Sequence, residues 1–525
     1  MSADRVVVVG AGHNGLVAAC YLAREGLDVE VVERDTVVGG AVSTVERWPG
    51  YRVDRGSSAH IMVRHTGIVE DLGLDRFGLD YLDLDPWGFA PFGDCDLTFS
   101  VDLDTTCGSI EKVCGAKDAA AYHAFVTDWS ARNLRVFDAF QNPPTARHLG
   151  RALWGVGKQT GLGGLELSRQ FLGSADALLD AHFDDERLKT ALAWLGAQSG
   201  PPAHEPATAD LVGWNTVMHL RAPGHPRRGS GSLSEALAAC LQSLGGRVRL
   251  GDGAAAITSA GDRVTGVLTD SGEHLRANTV VGACHVLTTL ELAASPALDK
   301  ARRDVHVGNG IGMVVRLVTD ALPPYPTATP ETYRALQLLA PSRQALRRAY
   351  GEWGAGLPPT EPAALAMTFS AFDDTLAPAG MHTMSIWGQW HPYALANGEH
   401  WDAIAEREGN KLIEAVERCA PGFASSVQAM HVQTPLDIER ELGLRQGQVM
   451  HVEMSLDSMF LYRPAPDLAG YRVPGTPGLY LCGASTHPGG GVFGASGRLA
   501  ARTVLSDRSA RSRALTRAVR TIRRG

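Results

Sequence analysis

Residues 5–40 read RVVVVGAGHNGLVAACYLAREGLDVEVVERDTVVGG. Val6 to Val9 form a short unbroken apolar run, as expected of a strand buried on both faces. Gly10, Gly12 and Gly15 follow as G-x-G-x-x-G. In that pattern the glycines serve a tight turn, close approach of bare backbone to a pyrophosphate, and packing of a helix on its strand. Leu16, Val17, Cys20, Tyr21 and Leu22 recur at helical spacing from Asn14 to about Glu25, and Gly26 ends the pattern. A second strand, Val29 to Val32, leads to Glu33, 18 residues beyond Gly15. A carboxylate there can hold the ribose 2′-OH of an adenine dinucleotide. The glycines alone would be weak evidence. Strand, glycines, helix, second strand and acid in this order are much more specific. The acid also disfavours a 2′-phosphorylated nucleotide, because like charges would meet.

Just beyond Glu33 stand Arg34 and a second glycine pair, Gly39-Gly40, in E-R-x-x-x-V-G-G. Glycines there let another loop approach a long, extended cofactor, and Ala41 to Thr44 should continue that loop. Arg52 to His60 then gives a strand and a turn of small residues, suited to close approach of a flat ring. His60 is the titratable group of that turn. As a base it would be matched to neutral pH; as a hydrogen-bonded structural histidine it would be equally at home. Both readings stand.

At 525 residues the whole chain is too long for one compact core. Apolar residues make up 44%, as in ordinary globular proteins, and no run is long enough to span a bilayer. A strand starting at Val6 leaves no room for a signal peptide, and eight scattered cysteines without C-x-x-C suggest neither zinc nor a disulfide framework. We therefore expect a cytoplasmic protein without a metal. Net charge is −8, yet residues 508–525 hold seven arginines and no acid. Arg513, Arg517, Arg520 and Arg524 would share one helical face and Leu515, Val519 and Ile522 another. Such a tail can touch anionic lipid, which would make the protein peripheral to a membrane, or it can be a solvated terminal helix. One basic stretch without interleaved aromatics gives no nucleic-acid signature.

Along the chain, the character changes repeatedly. Leu79 to Asp104 alternates as a strand does, and Ser109 to about Leu195 turns helical, with breaks at Pro143-Pro144 and Gly161 to Gly164. Near Pro226 the pattern returns to that of a nucleotide-binding domain. A helix from Ser234 to Leu244 is followed by strands Arg247 to Leu250, Ala254 to Thr258, Arg263 to Thr269 and Leu275 to Ala283. Ala254 would pass beside an adenine. From Val305 to about Gln433 strand-like pieces (Gly312 to Thr319, Ala364 to Phe369, Met381 to Trp387) alternate with helices predicted over Glu331 to Leu339 and Trp401 to Arg418. Finally, LYLCGASTHPGGGV at 479–492 reads as a buried strand and a glycine turn, with a helix starting near Val492. A helix N-terminus there can stabilise negative charge on a ligand edge.

Three stretches, in this order and spread over nearly the whole length, resemble the phytoene-desaturase-like branch of FAD-dependent oxidoreductases, within the amine oxidase superfamily. They resemble most closely its pyridine-nucleotide-disulphide-oxidoreductase-domain-2-like members. The stretches are VGAGHNGLVAA with E-R-x-x-x-V-G-G, then P-R-x-G-S-G-S-L, then S-L-D-x-x-F-x-x-R-P with LYLCGASTHPGGGV. The resemblance implies an α/β fold in which a discontinuous Rossmann-type FAD-binding domain is interleaved with an α+β substrate-binding domain. The segments would be 1–100, 225–300 and 445–507 for FAD, 101–224 and 301–444 for substrate, and 508–525 for the basic tail. It further implies that Gly10, Gly12 and Gly15 hold the pyrophosphate and Glu33 the ribose. Arg34 would stand beside them, Gly39, Gly40 and Ser43 would border phosphate and flavin, and Ala254 the adenine. Gly483, Gly491 and Val492 would meet the ribityl chain and pyrimidine edge. Arg228 departs from the pattern, standing where glycine is frequent.

The lysine that amine oxidases place near flavin N5 has no clear counterpart among the six lysines of this chain. The implied activity is dehydrogenation or oxidation of an apolar small molecule, with oxygen or a quinone as electron acceptor. A flavin-assisted non-redox isomerase and a non-catalytic escort protein on the same fold are the rival readings. His60 and His487 are the candidate bases, with His451 and Glu453 behind them. Arg463 is expected to pair structurally or to position the cofactor.

Overall fold

The computed structural model describes residues 5–161, 164–294 and 298–522, with side chains described as far as residue 510 except at 159 and 160. The arginine face expected of the tail therefore lies outside the described side chains. Among the described residues, no helix is long and apolar enough to cross a membrane.

The opening apolar run is the central strand, Arg5–Val9, of a five-stranded parallel sheet. Asp28–Val32 and then Arg247–Arg249 lie on one side of it, Thr279–Gly282 and then Leu479–Leu481 on the other. Val6, Val7 and Val8 are fully buried because helices cover one face of the sheet and the antiparallel meander Ala254–Ala260, Arg263–Thr269, His274–Arg276, with the helix Val286–Ala293, covers the other. The helix His13–Arg24 packs between Gly231–Ser243 and the start of the long C-terminal helix Ala495–Ile522. Three segments distant in sequence thus complete one sheet. The stretch Leu275 to Ala283, read as one strand, is two: His274–Arg276 closes a three-stranded antiparallel meander, and Thr279–Gly282 joins the parallel sheet.

A second sheet has seven strands in the order Val427–Gln433, Gly312–Thr319, His382–Gln389, Ala364–Met367, Leu336–Leu339, Gly88–Phe92, Cys95–Phe99. Its last two strands come from before residue 100. Gly88–Phe92 pairs with Leu336–Leu339, so the segment expected as 1–100 contributes strands to both sheets. The predicted helix Glu331 to Leu339 is corrected. Pro330–Arg334 makes a short 3-10 turn and Leu336–Leu339 is a fully buried strand. An apolar run of four residues has no helical face of its own, and the neighbouring strands decide its form. The helices between Leu103 and Ala197 pack on this sheet through a core that includes Trp87, Tyr122, Trp129 and Trp194.

Candidate functional site

The glycine fingerprint ends the first strand and opens the first helix, and its three glycines differ in what surrounds them. A Cβ on Gly15 would lie 2.4 Å from the Gly10 carbonyl oxygen and 2.8 Å from Ala283 Cβ, so this glycine lets helix and strand touch. Gly10 takes φ of 103° against the backbone of Ala283 and Cys284. Around Gly12, by contrast, the nearest atom to an added Cβ is 4.0 Å away. That space belongs to a cleft. Gly12 caps the helix with no side chain, and the first turn carries no acid, so its N–H groups face the cleft as an anion site.

Glu33 accepts the Ala11 N–H at 2.7 Å and the Asp35 N–H at 3.0 Å. Its carboxylate is thereby fixed at the rim, beside Arg34, Gly253, Ala254 and Asp270. From there the cleft, about 320 Å³, runs past Gly10, Gly12 and Asn14 to Gly39, Gly40, Gly483 and Ala484. Of the cofactor residues expected from sequence, Gly10, Gly12, Glu33, Arg34, Gly39, Gly40, Ala254 and Gly483 line this one cleft. Gly15 sits behind it. Ser43 is a correction: it is buried and spends its hydroxyl on the Gly40 carbonyl at 2.6 Å, shaping the loop from behind.

A second cavity, about 310 Å³, abuts the first. The two share His13, Ala41, Leu442, Leu444, His451 and Ala484 as common wall. Gly491 and Val492 line this second cavity, together with Ser57 and Ser58 of the small-residue turn. Val492 is held at φ of 57°, a strained conformation for a β-branched residue that recurs at ligand sites. Among the described residues, neither Gly491 nor Val492 has an acceptor for its N–H. The far wall comes from the second sheet and its neighbours: Val314, Leu336, Leu365, Met367 and Trp387, with Leu195 and Met218. Among the described residues, no lysine, aspartate or glutamate lines this cavity.

The candidate bases are redistributed by the fold. His60 is fully buried, with Nδ1 2.8 Å from the Tyr81 hydroxyl and Nε2 2.8 Å from Ser230 Oγ. Both ring nitrogens are engaged, the ring lines neither cavity, and burial drives its pKa well below the ordinary histidine value. His60 thus ties the small-residue turn to Tyr81 and to Ser230 at the start of the helix Gly231–Ser243. His487 is also interior, its Nε2 3.2 Å from the Ala139 carbonyl and its ring against Phe140 and Phe460. Burial lowers its pKa to about 4. It too lines neither cavity. Glu453 lies in a separate depression with Gly200, Tyr350 and Trp390.

His451 reaches the wall common to both cavities. Its backbone is left-handed (φ 66°), and its ring stacks on His285 at 5.4 Å between centroids. His285 accepts the Leu287 N–H on Nδ1 and donates from Nε2 to the His451 carbonyl at 2.8 Å. His451 Nδ1 lies 3.1 Å from Ser485 Oγ, which also accepts the Val286 N–H. Burial first, and then the neighbouring His285 and Arg463, hold the His451 ring well below the usual pKa and so neutral. Arg463 proves not to be an ion-pair residue. Fully buried, it donates to the carbonyls of Met450 and Ala484 at 2.7 Å each and of Glu453 at 2.8 Å. It ties the His451 loop to the Gly483-Ala484 turn, and its burial pushes its pKa down to about 9. Arg228, the departure from the family pattern, takes φ of 74°, the region glycine favours. Its N–H donates to Asp373 at 2.9 Å and its guanidinium meets Glu235 at 2.7 Å.

His13 and Arg316 are site residues that sequence reasoning missed. His13 occupies a variable position inside the fingerprint, where only the glycines carry a signal. Arg316 did leave one: it is the lone charge in the apolar strand GMVVRLVT.

Residues 8–72 match the NAD(P)-binding Rossmann-like domain family. Over 548 residues the chain is 32% identical to mouse pyridine nucleotide-disulfide oxidoreductase domain-containing protein 2, covering 95% of this chain and 93% of that one. It is 28% identical to phytoene dehydrogenase of Streptomyces griseus, covering 97% and 96%. Among solved structures, an oxidoreductase from Methanosarcina mazei shares the fold at a TM-score of 0.63 and 15% identity, covering 96% of this chain and all of that one.

Proposed function

The chain belongs to the family of pyridine nucleotide-disulfide oxidoreductase domain-containing protein 2, and from that premise we propose that it is an FAD-dependent oxidoreductase that dehydrogenates a mostly apolar small molecule. The observation that carries this reading is the common wall of two cavities, one polar and glycine-lined, the other apolar. The residues fit an extended dinucleotide: space at Gly12, a fixed carboxylate at Glu33, and N–H groups without acceptors at Gly491 and Val492. Bound there, FAD supplies a hydride acceptor at N5.

The protein's own part is binding, orientation and proton handling. Glu33 holds ribose hydroxyls, and the N-terminus of His13–Arg24 offsets diphosphate charge. The apolar wall from Leu336 to Trp387 excludes water and holds a carbon skeleton. As a hydride leaves one carbon of the substrate, its neighbour must lose a proton while the double bond forms between them. His451 takes that proton. Ser485 Oγ can accept the Nδ1 proton of His451 beside the Val286 N–H, which leaves Nε2 as the basic nitrogen. The electron acceptor would be oxygen or a quinone.

The test is anaerobic mixing of the purified yellow protein with polyenes, lipids and polar metabolites, followed by oxygen or quinone. Stoichiometric bleaching of the flavin by an apolar compound is expected. Turnover without bleaching would point to isomerisation instead, and a colourless protein that takes up no FAD would overturn the reading.

A further inference from the structure

Arg316 stands mid-strand in Gly312–Thr319, the second strand of the seven-stranded sheet, paired in register with Ser385 on one side and His431 on the other. It is 2% exposed and lines the apolar cavity. Its Nη2 donates to the Gly56 carbonyl at 3.3 Å, while Nε and Nη1 have no partner among the described residues. No carboxylate among them reaches it. Of the acids around it, Asp54 accepts the Thr44 hydroxyl at 2.6 Å and the Ser230 N–H at 2.8 Å, and Glu441 is engaged by Arg47 and Gln433. The other arginine on the cavity wall, Arg55, is already neutralised by Asp35 at 2.5 Å. The cavity therefore combines aliphatic and aromatic walls with one buried guanidinium that makes no ion pair among the described residues and is short of acceptors, Asp54 and Glu441 acting on it only from a distance.

An unpaired buried cation is strongly unfavourable, and a buried donor without an acceptor adds to that cost. The cost is removed by a ligand that brings an anion with lone pairs to the fork, and guanidinium geometry suits a carboxylate. We propose that Arg316 receives a carboxylate of the substrate, so that the substrate class is a monocarboxylic acid with an apolar body. This rests on the reading of the sheet-lined part of the second cavity as the substrate pocket, the part at Gly491 and Val492 belonging to the cofactor. It narrows that reading from an apolar molecule to an amphipathic anion, and it places the carboxylate beside Gly56, at the middle of the strand Gly312–Thr319.

The test uses decanoate, decanol and decylamine as probes, with binding to the FAD-loaded protein followed by calorimetry. Decanoate should bind at least tenfold more tightly than decanol, and decylamine more weakly than either. Arg316→Met should bring decanoate and decanol to parity, and Arg316→Lys should keep part of the preference. Melting curves on the same samples verify that the variants fold. If Arg316→Met does not fold, the wild-type ranking still decides, because equal binding of decanoate and decanol overturns the proposal. So does a preference that survives in Arg316→Met while the flavin midpoint potential falls, which would give the guanidinium to the cofactor. The binding ranking needs no turnover. A protein that prefers decanoate but is not reduced by any substrate would refute the dehydrogenase reading and leave the carboxylate site standing.

Discussion

The carboxylate of Glu33 accepts the N–H of Ala11 at 2.7 Å, so the residue that ends the second strand is locked to the glycine turn that ends the first. The acid is positioned before any cofactor arrives. Glu33→Gln keeps an acceptor for Ala11 while removing the charge. Charged hydrogen bonds contribute about 1.5–3 kcal/mol, so FAD should bind roughly 10- to 100-fold more weakly at nearly unchanged melting temperature. Fluorescence titration of FAD into the stripped protein measures this. Unchanged affinity would remove Glu33 from the ribose site.

Gly12 and Gly15 separate binding from folding. A methyl at Gly12 enters open cleft, whereas one at Gly15 meets the Gly10 oxygen at 2.4 Å. Gly12→Ala should therefore fold normally and purify with little flavin. Gly15→Ala should lose about 1–3 kcal/mol of stability through overpacking. Melting temperature and bound-flavin absorbance, read on the same two samples, give opposite patterns if this is right.

His60 predicts a third outcome. Removing its ring leaves the Tyr81 hydroxyl and Ser230 Oγ without their buried partner. His60→Ala should cost about 2–4 kcal/mol, from two buried polar groups at about 1–3 kcal/mol each less what relaxation recovers. Flavin reduction by a bound substrate should proceed at close to the wild-type rate. A large loss of rate with stability intact would restore His60 as a base.

The sequence disclosed the parts of the molecule whose signals are local. Gly10, Gly12, Gly15 and Glu33 are fixed by backbone geometry within one βαβ unit, and the structure brings them to one turn. Local patterning failed where neighbours decide the outcome. Leu336–Leu339 is a strand because Gly88–Phe92 and Ala364–Met367 flank it, not because of its own residues. Leu275 to Ala283 divides between two sheets for the same reason. The catalytic side of the site was least legible. Whether a histidine faces a cavity depends on chain segments far away in sequence: Ser230 encloses His60, and Ala139 and Phe460 enclose His487. His451 reaches the cavity wall through a loop braced by Arg463, whose carbonyl partners no sequence pattern announces.

Several histidines are held below their ordinary pKa by burial, and this sets a pH dependence of stability. His285 and His487 are lowered to about 4 and His391 to about 3, with His60 and His451 also well below 6.5. In the unfolded chain the same rings titrate near 6.5. Between these values the unfolded state binds more protons than the folded state, so stability rises with pH across that window. The melting temperature should be flat above about pH 7, then fall steadily from about pH 6.5 toward pH 4. A flat profile across that window would show that the rings are not buried as described.

His451 carries the chemical consequence of the same shift. Lowered by burial, then by His285 and Arg463, its imidazole stays neutral and able to accept a proton well below pH 6.5. The rate of anaerobic flavin reduction should therefore be independent of pH from about 6 to 8, with an acid limb only below the usual histidine range. A general base typically contributes about 100-fold or more. His451→Ala should lower the reduction rate by at least that factor while FAD stays bound, because the Gly483-Ala484 turn is held by Arg463 and not by the imidazole. Ser485→Ala should act in the same direction but more weakly, since it removes the partner of Nδ1 and leaves the ring in place. A rate that climbs through the ordinary histidine pKa in the wild type would mean that His451 titrates like a free histidine. A rate unchanged in His451→Ala would leave the substrate proton to solvent.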